Sequence, residues 1–483
     1  MTISEIIKNK DLREFKPVPF WSINSKLDVG EIKRQISEMS DFGLGGFIFH
    51  ARAGLETPYL SDEWFEAVGV ALEKAKELGL KAWLYDEYGW PSGFVGGKLL
   101  KDEKNRAGFL RYEVKNYFDD SAFAVFVKRG DDFGRVEAPV AGVTEYHTIN
   151  RLLSDAYCDI LNPRVTDLFI EETHEKYYAR FKKSFGKELA GFFTDEPQYY
   201  RYETPVSAVC EDEFYKAYGE SLKDGLVWLF AQSEKGYPFR VKYYNLLNKL
   251  YCENYYKRLY DWCDRHGVLL TGHSVEETLF FTQMWGGADC ATSYLYEHIP
   301  AIDNLARDGT AEISAKSVGS VAAQTGKKLV MTETFGCSGY GVTPRELKLI
   351  AEKQYVYGVD LMCQHLYNYT FSKLGKIDCP PSFGRSMPWK SVYKSFNGYF
   401  SKLGFLIANS EEKTEVAVIT PMESIYLDYL RLDESKSRDD VDKPFLWLLS
   451  ELKKRGVSGA EKVFLMTVNS QKEIYLAESE ASK

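Results

Sequence analysis

Short apolar runs of strand length alternate with segments of helical periodicity along most of the chain. The runs are followed by stretches such as 28–42, in which Ile32, Ile36 and Met39 recur at helical spacing. This alternation predicts parallel strands joined by right-handed crossovers. Eight such units fit an α/β (β/α)8 TIM barrel. The apolar runs that predict its strands lie at 17–24, 45–50, 81–85, 189–195, 268–273, within 288–303, at 328–334 and at 359–367.

Two parts of the chain depart from this rhythm. Between about 100 and 150, polar and apolar residues alternate, which predicts a small β-rich insertion after the third strand. After the polar run at 409–414, an apolar segment begins a new strand, and 439–454 has the pattern of a helix. The predicted architecture is a TIM-barrel catalytic domain at 1–408 and, at 409–483, the start of a small or truncated α/β domain.

The amino-acid composition limits the kinds of molecule that this protein is expected to bind. The chain has 483 residues and a net charge of −9, without the basic run that nucleic-acid binding needs. Aromatic residues make up 15% of the sequence, which favours a surface that stacks on flat sugar rings. No apolar run approaches a membrane span or a signal peptide, and the eight cysteines show no metal-ligand spacing. We therefore expect a cytoplasmic protein with reduced thiols and a carbohydrate substrate; the oligomeric state stays open.

Two glutamates follow predicted core strands directly. Glu196 ends the run LAGFFTDE on the fourth strand, and Glu333 ends KLVMTE on the seventh. The carboxyl ends of barrel strands meet at one rim, where barrel enzymes place their catalytic residues. A carboxylic acid and a carboxylate at one site are what glycoside hydrolysis requires. The alternatives are that each glutamate caps a helix or pairs with an arginine, or that Glu276 or Glu277, after the fifth strand, replaces Glu333.

The neighbours of the two glutamates predict different roles. Asp195 adjoins Glu196, and a nearby like charge raises the pKa of a carboxyl group, so Glu196 is the predicted general acid. The hydroxyls of Thr332 and Thr334 are predicted to hydrogen-bond to Glu333 and keep it ionised, as the base or nucleophile.

Other residues at predicted strand ends are candidates for substrate binding. Trp90 has the position to stack beneath a sugar ring, and Arg52 either binds the substrate or pairs with Glu56. Several histidines at one rim also allow a metal site, although HxH and HExxH spacings are absent from the sequence. The predicted binding residues are Trp21, His50, Arg52, Asp86, Glu87, Trp90, Asp195, His273, Glu276, Tyr296, His298 and His365.

A set of motifs, in order along 17–400, resembles glycoside hydrolases similar to the α-L-rhamnosidases of family 106. The motifs are PFWSIN, GLGGFIFHARAGLETPYLSDEWF, AWLYDEYGWPSGFVGG, GFFTDEPQ, TGHS, HIPAID and TETFGCSGYG. The resemblance implies a (β/α)8 barrel and an exo-acting glycosidase with two catalytic glutamates and an inverting mechanism. It implies no required cofactor, although some relatives use a calcium ion to hold sugar hydroxyls. Glutamates on strands four and seven also resemble a larger clan with many retaining members, so the stereochemistry stays open.

Three functions are therefore compatible with the sequence. The first is a glycoside hydrolase that cleaves a terminal sugar, rhamnoside-like or other, with Glu196 and Glu333. The second is a metal-dependent hydrolase on the same barrel, using His50, His273, His298 or His365. The third is a non-catalytic barrel that binds carbohydrate.

Overall fold

The computed structural model describes residues 7–8, 10–307, 312–413, 417–429, 454, 465–468 and 474–477. Its main feature is a closed barrel of eight parallel strands, which follow one another around the barrel in chain order. The predicted TIM-barrel fold is confirmed. The strands in chain order are β1 (Val18–Ile23), β2 (Gly46–Ala51), β3 (Lys81–Tyr88), β4 (Arg106–Lys115), β5 (Ala124–Arg129), β6 (Asp132–Val136), β7 (Tyr146–Cys158), β8 (Leu189–Asp195), β9 (Thr204–Val206), β10 (Leu269–His273), β11 (Ile299–Asn304), β12 (Met331–Thr334), β13 (Leu361–Asn368), β14 (Ala417–Val418), β15 (Leu465–Val468) and β16 (Ile474–Ala477).

The barrel is formed by β1, β2, β3, β8, β10, β11, β12 and β13, and helices cover its outer face. Between β7 and β8 the chain forms two helices that meet at Thr173. The described α-helices in chain order are α1 (Val29–Asp41), α2 (Asp62–Leu78), α3 (Pro163–Glu172), α4 (His174–Phe181), α5 (Cys210–Tyr218), α6 (Leu222–Gly225), α7 (Tyr237–Tyr251), α8 (Lys257–His266), α9 (Phe280–Gln283), α10 (Cys290–Ser293), α11 (Glu312–Thr325), α12 (Pro344–Val356), α13 (Lys390–Ala408) and α14 (Met422–Asp428).

Strand alternation decides which side chains reach the barrel interior. In β1, Phe20 packs inside the barrel against Phe193, whereas Trp21 packs on the outer side against Phe47 and Phe49. The indole N–H of Trp21 donates to Gln35 of α1, 2.7 Å away. Since successive side chains of a strand point to opposite faces, this places Trp21 in the core between barrel and helices. The prediction that Trp21 lines the substrate pocket is wrong.

The predicted β insertion is a separate sheet of five strands, in the order β6-β5-β7-β4-β9. Four of its strands come from the segment after β3, and they extend to Cys158, beyond the expected end near residue 150. The fifth, β9, follows β8 and pairs antiparallel with β4. The sheet is thereby joined to the loop that follows Glu196.

The C-terminal residues are described in part. Ala417–Val418 forms the strand expected after the polar run, and it pairs in parallel with β15. Helix α14 packs against α7 through Tyr426, whose ring lies 5.7 Å from that of Tyr244. Most of the helix predicted at 439–454 lies outside the described residues. None of the described helices is long and apolar enough to cross a membrane.

Candidate active site

The end of β8 places two acidic residues at the carboxyl rim of the barrel. Asp195 is the last residue of the strand and pairs in register with His273 of β10. Glu196 follows with a positive φ of 44°, and its backbone N–H donates to the carbonyl of His273 over 3.1 Å. Its Oε2 accepts a hydrogen bond of 2.6 Å from Nε1 of Trp90. The left-handed backbone turns the Glu196 side chain out of the strand pattern and towards Trp90.

His273 lies between two buried carboxylates. Its Nε2 is 2.8 Å from Oε2 of Glu333 and 3.5 Å from Oδ1 of Asp195. The threonines beside Glu333 bond elsewhere, because Thr332 donates to Gln354 and Thr334 donates to the carbonyl of Asn304. The prediction that these hydroxyls support the Glu333 carboxylate is therefore wrong. The imidazole of His273, on β10, supports the Glu333 carboxylate instead.

The electrostatic environments of the two glutamates differ. Burial, reinforced by the charge of Asp195, raises the pKa of Glu196 to about 8. Burial also raises the pKa of Glu333, but the hydrogen bond to His273 favours its charged form. Burial disfavours a charged imidazole at His273, yet the hydrogen bond to Glu333 outweighs it and raises the pKa of His273 well above its ordinary value. At neutral pH, Glu196 thus holds a proton and Glu333 faces an imidazolium.

Asp303 is a fourth acid at this rim, and sequence reasoning missed it. It lies near the end of β11, and oxygens of Asp303 and Glu196 and a ring nitrogen of His273 lie within 4.8 Å of one another. Burial and the charge of Glu333 raise the pKa of Asp303 well above its ordinary value. Asp303 ends the motif HIPAID. The sequence did not give the bounds of the sixth strand, so the place of Asp303 at the rim could not be predicted.

Arg52 has a partner that the sequence did not suggest. Its guanidinium forms a two-pronged pair with Asp378, with N–O distances of 2.9 and 2.7 Å. The two residues are 326 positions apart, so no local pattern links them. The pair fixes Arg52 at the same rim as Glu333.

Two predicted histidines join the cluster as neutral groups. Nε2 of His365 lies 3.9 Å from Oε1 of Glu333, and burial lowers the pKa of His365 to about 3. The ring of His50 stacks on Tyr85 with centroids 3.5 Å apart, and burial lowers its pKa well below the ordinary value. The Tyr85 hydroxyl donates to Asp195 over 2.6 Å. Both imidazoles are therefore neutral at pH 7.

The fold of this barrel is similar to that of a known structure. A rhamnosidase from Novosphingobium sp. PP1Y aligns with a TM-score of 0.65 and 12% identity, over 90% of this chain and 63% of that protein. The two proteins share a barrel fold. The present chain thus spans about 63% of the rhamnosidase's length. An endo-1,4-β-mannanase from Rhizomucor miehei aligns with a TM-score of 0.45 and 10% identity, over 80% of this chain and 95% of that one. No family model and no curated protein matches the sequence.

Asp86 and Glu87, near the end of β3, support the rim, but their side chains do not face it. The Glu87 carboxylate is fully buried and accepts hydrogen bonds from five backbone N–H groups. Asp86 is also fully buried, accepts from Ser92 over 2.6 Å and lies 3.7 Å from His174 behind the barrel. The prediction that these two acids bind substrate is wrong, because both carboxylates serve the loop that carries Trp90. The donors to Glu87 belong to Tyr88, Gly93, Phe94, Val95 and Gly96.

Residues near the fifth and sixth strands are also placed differently from the predictions. His298 precedes β11, and its Nδ1 accepts from the backbone of Leu270, so it lies at the amino end of the barrel. Tyr296 belongs to the turn before it. The prediction that these two residues line the pocket is wrong, since the sixth strand begins after both of them.

Glu276 and Glu277 were the alternatives to Glu333 as the second carboxylate. Glu277 is buried and accepts from the backbone N–H groups of Ser274 and Asp303, at 2.9 and 3.0 Å. It therefore ties β11 to the loop after β10. Glu276 is half-buried, with a positive φ of 56°. Neither belongs to the two clusters of acids around His273, which are Asp195 with Glu333 and Glu196 with Asp303.

The acid clusters do not fit a calcium ion. Two described groups have ligand atoms within 4.8 Å of one another: Asp195, His273 and Glu333, and Glu196, His273 and Asp303. Calcium takes six to eight oxygen ligands, whereas both groups depend on His273. Of the four histidines considered as possible metal ligands, His298 lies at the opposite end of the barrel.

Proposed function

We propose that this protein is a glycoside hydrolase that removes a terminal sugar, with Glu196 as the general acid and Glu333 as the base or nucleophile. The observation that carries this proposal is the contrast between the two glutamates. Glu196 has a pKa of about 8 beside a neutral indole donor, and Glu333 adjoins a cationic imidazole. Pairs of carboxyl groups whose environments separate their pKa values are the signature of glycosidase sites.

Glu196 supplies the proton that the leaving oxygen needs. At neutral pH it is protonated, so it can transfer a proton to the glycosidic oxygen as the bond to the sugar breaks. The carboxylate that remains is then stabilised by the Trp90 N–H, already 2.6 Å away. Trp90 is 44% exposed, and the Arg201 guanidinium lies 5.6 Å from the centre of its ring, so the remaining ring surface can stack on a sugar.

Glu333 acts on the other side of the same bond. His273 donates to one of its oxygens, and the imidazolium charge favours the ionised carboxylate. That carboxylate either activates a water molecule or attacks the sugar carbon directly. Tyr85, which donates to Asp195, and the Arg52–Asp378 pair hold the surrounding polar groups in place.

The sugar is proposed to be a rhamnoside or a similar terminal residue. Both the sequence motifs and the barrel fold shared with the Novosphingobium rhamnosidase support this choice. A panel of aryl α- and β-glycosides, including the α-L-rhamnoside, tests it with wild-type protein and Glu196→Gln. We expect the wild type to release the aryl group from one member of the panel. Sugar binding without any release would instead favour the carbohydrate-binding barrel.

The fall of kcat/KM at alkaline pH, the alkaline limb of the pH profile, should reflect the titration of Glu196. We expect kcat/KM to fall as the pH rises through about 8, because Glu196 then loses its catalytic proton. The Trp90 hydrogen bond lowers the pKa of Glu196, so Trp90→Phe should move the limb upwards, by roughly half to one pH unit. Tyr202→Phe, which changes an exposed aromatic on the following loop, is the matched control. A downward shift in Trp90→Phe would contradict this assignment.

Removal of divalent metals separates the proposal from the metal-dependent alternative. We expect wild-type kcat/KM to be unchanged after dialysis against EDTA, because His273 is engaged as a cation with Glu333. Loss of activity that added Zn²⁺ or Ca²⁺ restores would support the metal-dependent hydrolase instead.

A further inference from the structure

Two cysteines lie together on the rim beside the proposed site. Cys337 is in the loop that follows β12, Cys379 is in the loop that follows β13, and both have positive φ values, 61° and 40°. The backbone N–H of Cys337 donates to the carbonyl of Cys379 over 3.3 Å, and Gly339 donates to Pro380 over 2.9 Å. The two loops are therefore paired at the two cysteines, and this backbone contact places their side chains next to each other.

The pair differs from every other cysteine in the chain. All eight cysteines lie in described parts of the chain, and the other six are buried. Cys337 is exposed and Cys379 is half-buried. A water-soluble reagent therefore meets two thiols on the native protein, and these two are adjacent.

The surroundings favour reaction at Cys379. The hydrogen bond from Cys337 is the main reason that the pKa of Cys379 falls to about 7, and the Arg52 guanidinium acts in the same direction. A fraction of Cys379 is therefore thiolate at neutral pH, and the thiolate is the nucleophilic form. Cys337, as the hydrogen-bond donor, has a raised pKa and is placed as the resolving thiol.

We propose that Cys337 and Cys379 form a redox-active thiol pair that low-molecular-weight disulfides of the glutathione type convert into an intramolecular disulfide. In the first step, the Cys379 thiolate attacks one sulfur of the reagent, breaks its S–S bond and releases one thiolate. In the second, Cys337 loses its proton and attacks Sγ of Cys379, forming the protein disulfide and releasing the second small thiol. Two protein thiols are oxidised and one reagent disulfide is reduced.

The new bond would join the two loops that flank the site. The loop of Cys337 begins directly after β12, which carries Glu333, and Cys379 directly follows Asp378, the partner of Arg52. The thiol pair is thus placed to sense oxidation where the proposed substrate enters. This inference stands on the cysteines alone and does not depend on the proposed hydrolase activity.

The test is to treat the native protein with oxidised glutathione and to count solvent-accessible thiols before and after. We expect two accessible thiols to fall to none, with a mass loss of about 2 Da for two hydrogens and recovery with dithiothreitol. Cys337→Ser should stop at one stable glutathione adduct, whereas Cys379→Ser should react many-fold more slowly. The proposal is overturned if the wild type keeps both accessible thiols, or if it stops at a stable adduct as Cys337→Ser does.

Discussion

Glu333→Gln is expected to be inactive on every glycoside, including those with activated leaving groups. The amide has the size of the carboxylate but cannot attack the sugar or accept a proton from water, and it leaves His273 without its anionic partner at 2.8 Å. We expect kcat to fall by about 10⁴-fold, the upper end of the range for acid–base residues. Steady-state kinetics with an aryl glycoside carrying a good leaving group measure this directly, because protonation by Glu196 then matters least.

Glu276→Gln is the control for this prediction. Glu276 follows β10 and is absent from both acid clusters around His273, so its amide should leave kcat close to the wild-type value. Thermal unfolding of both variants checks that the fold is kept. If Glu276→Gln were inactive while Glu333→Gln kept its activity, the second carboxylate would have been misassigned.

Glu196→Gln is expected to lose roughly 10²–10⁴-fold in kcat/KM on glycosides with poor leaving groups. Such leaving oxygens need a proton, and the amide cannot supply one. The remaining activity should no longer fall as the pH rises through about 8, since the group that titrates there has been removed. Measurement of kcat/KM from pH 6 to about 9.5 for wild type and variant tests both points. Persistence of the alkaline limb in Glu196→Gln would assign that limb to another group.

The barrel and the positions of its two glutamates could be predicted from the sequence for one physical reason. A strand buried on both faces is a short apolar run, and the first acids after it must lie at the carboxyl rim. The run before Asp195 and Glu196 and the run before Glu333 both have this form, and they are β8 and β12 of the barrel.

The sixth strand shows where this reasoning failed. Within 288–303 apolar residues have no clear period, because two short helical turns precede β11. His298 and Tyr296 were therefore assigned to the wrong end of the barrel, and Asp303 was missed at the right one. One shift of the strand boundary accounts for all three outcomes.

Other differences arise from contacts that no local pattern encodes. Trp21 faces outwards because Phe20 takes the interior position, and both residues are equally apolar in the sequence. Glu87 accepts hydrogen bonds from four backbone N–H groups of the next loop, a role that depends on the folded path of that loop. Arg52 pairs with Asp378 only because the fold brings the end of β2 next to the loop after β13.

The dependence of rate on the leaving group tests the central claim, the division of labour between Glu196 and Glu333, most directly. Hydrolysis is measured for aryl glycosides whose phenols span a range of acidity, with wild type, Glu196→Gln and Glu333→Gln. The account predicts a shallow dependence for wild type, a steep one for Glu196→Gln that approaches the wild-type rate at the best leaving group, and no activity at any leaving group for Glu333→Gln. An equal loss in both variants on the most activated substrate would contradict it.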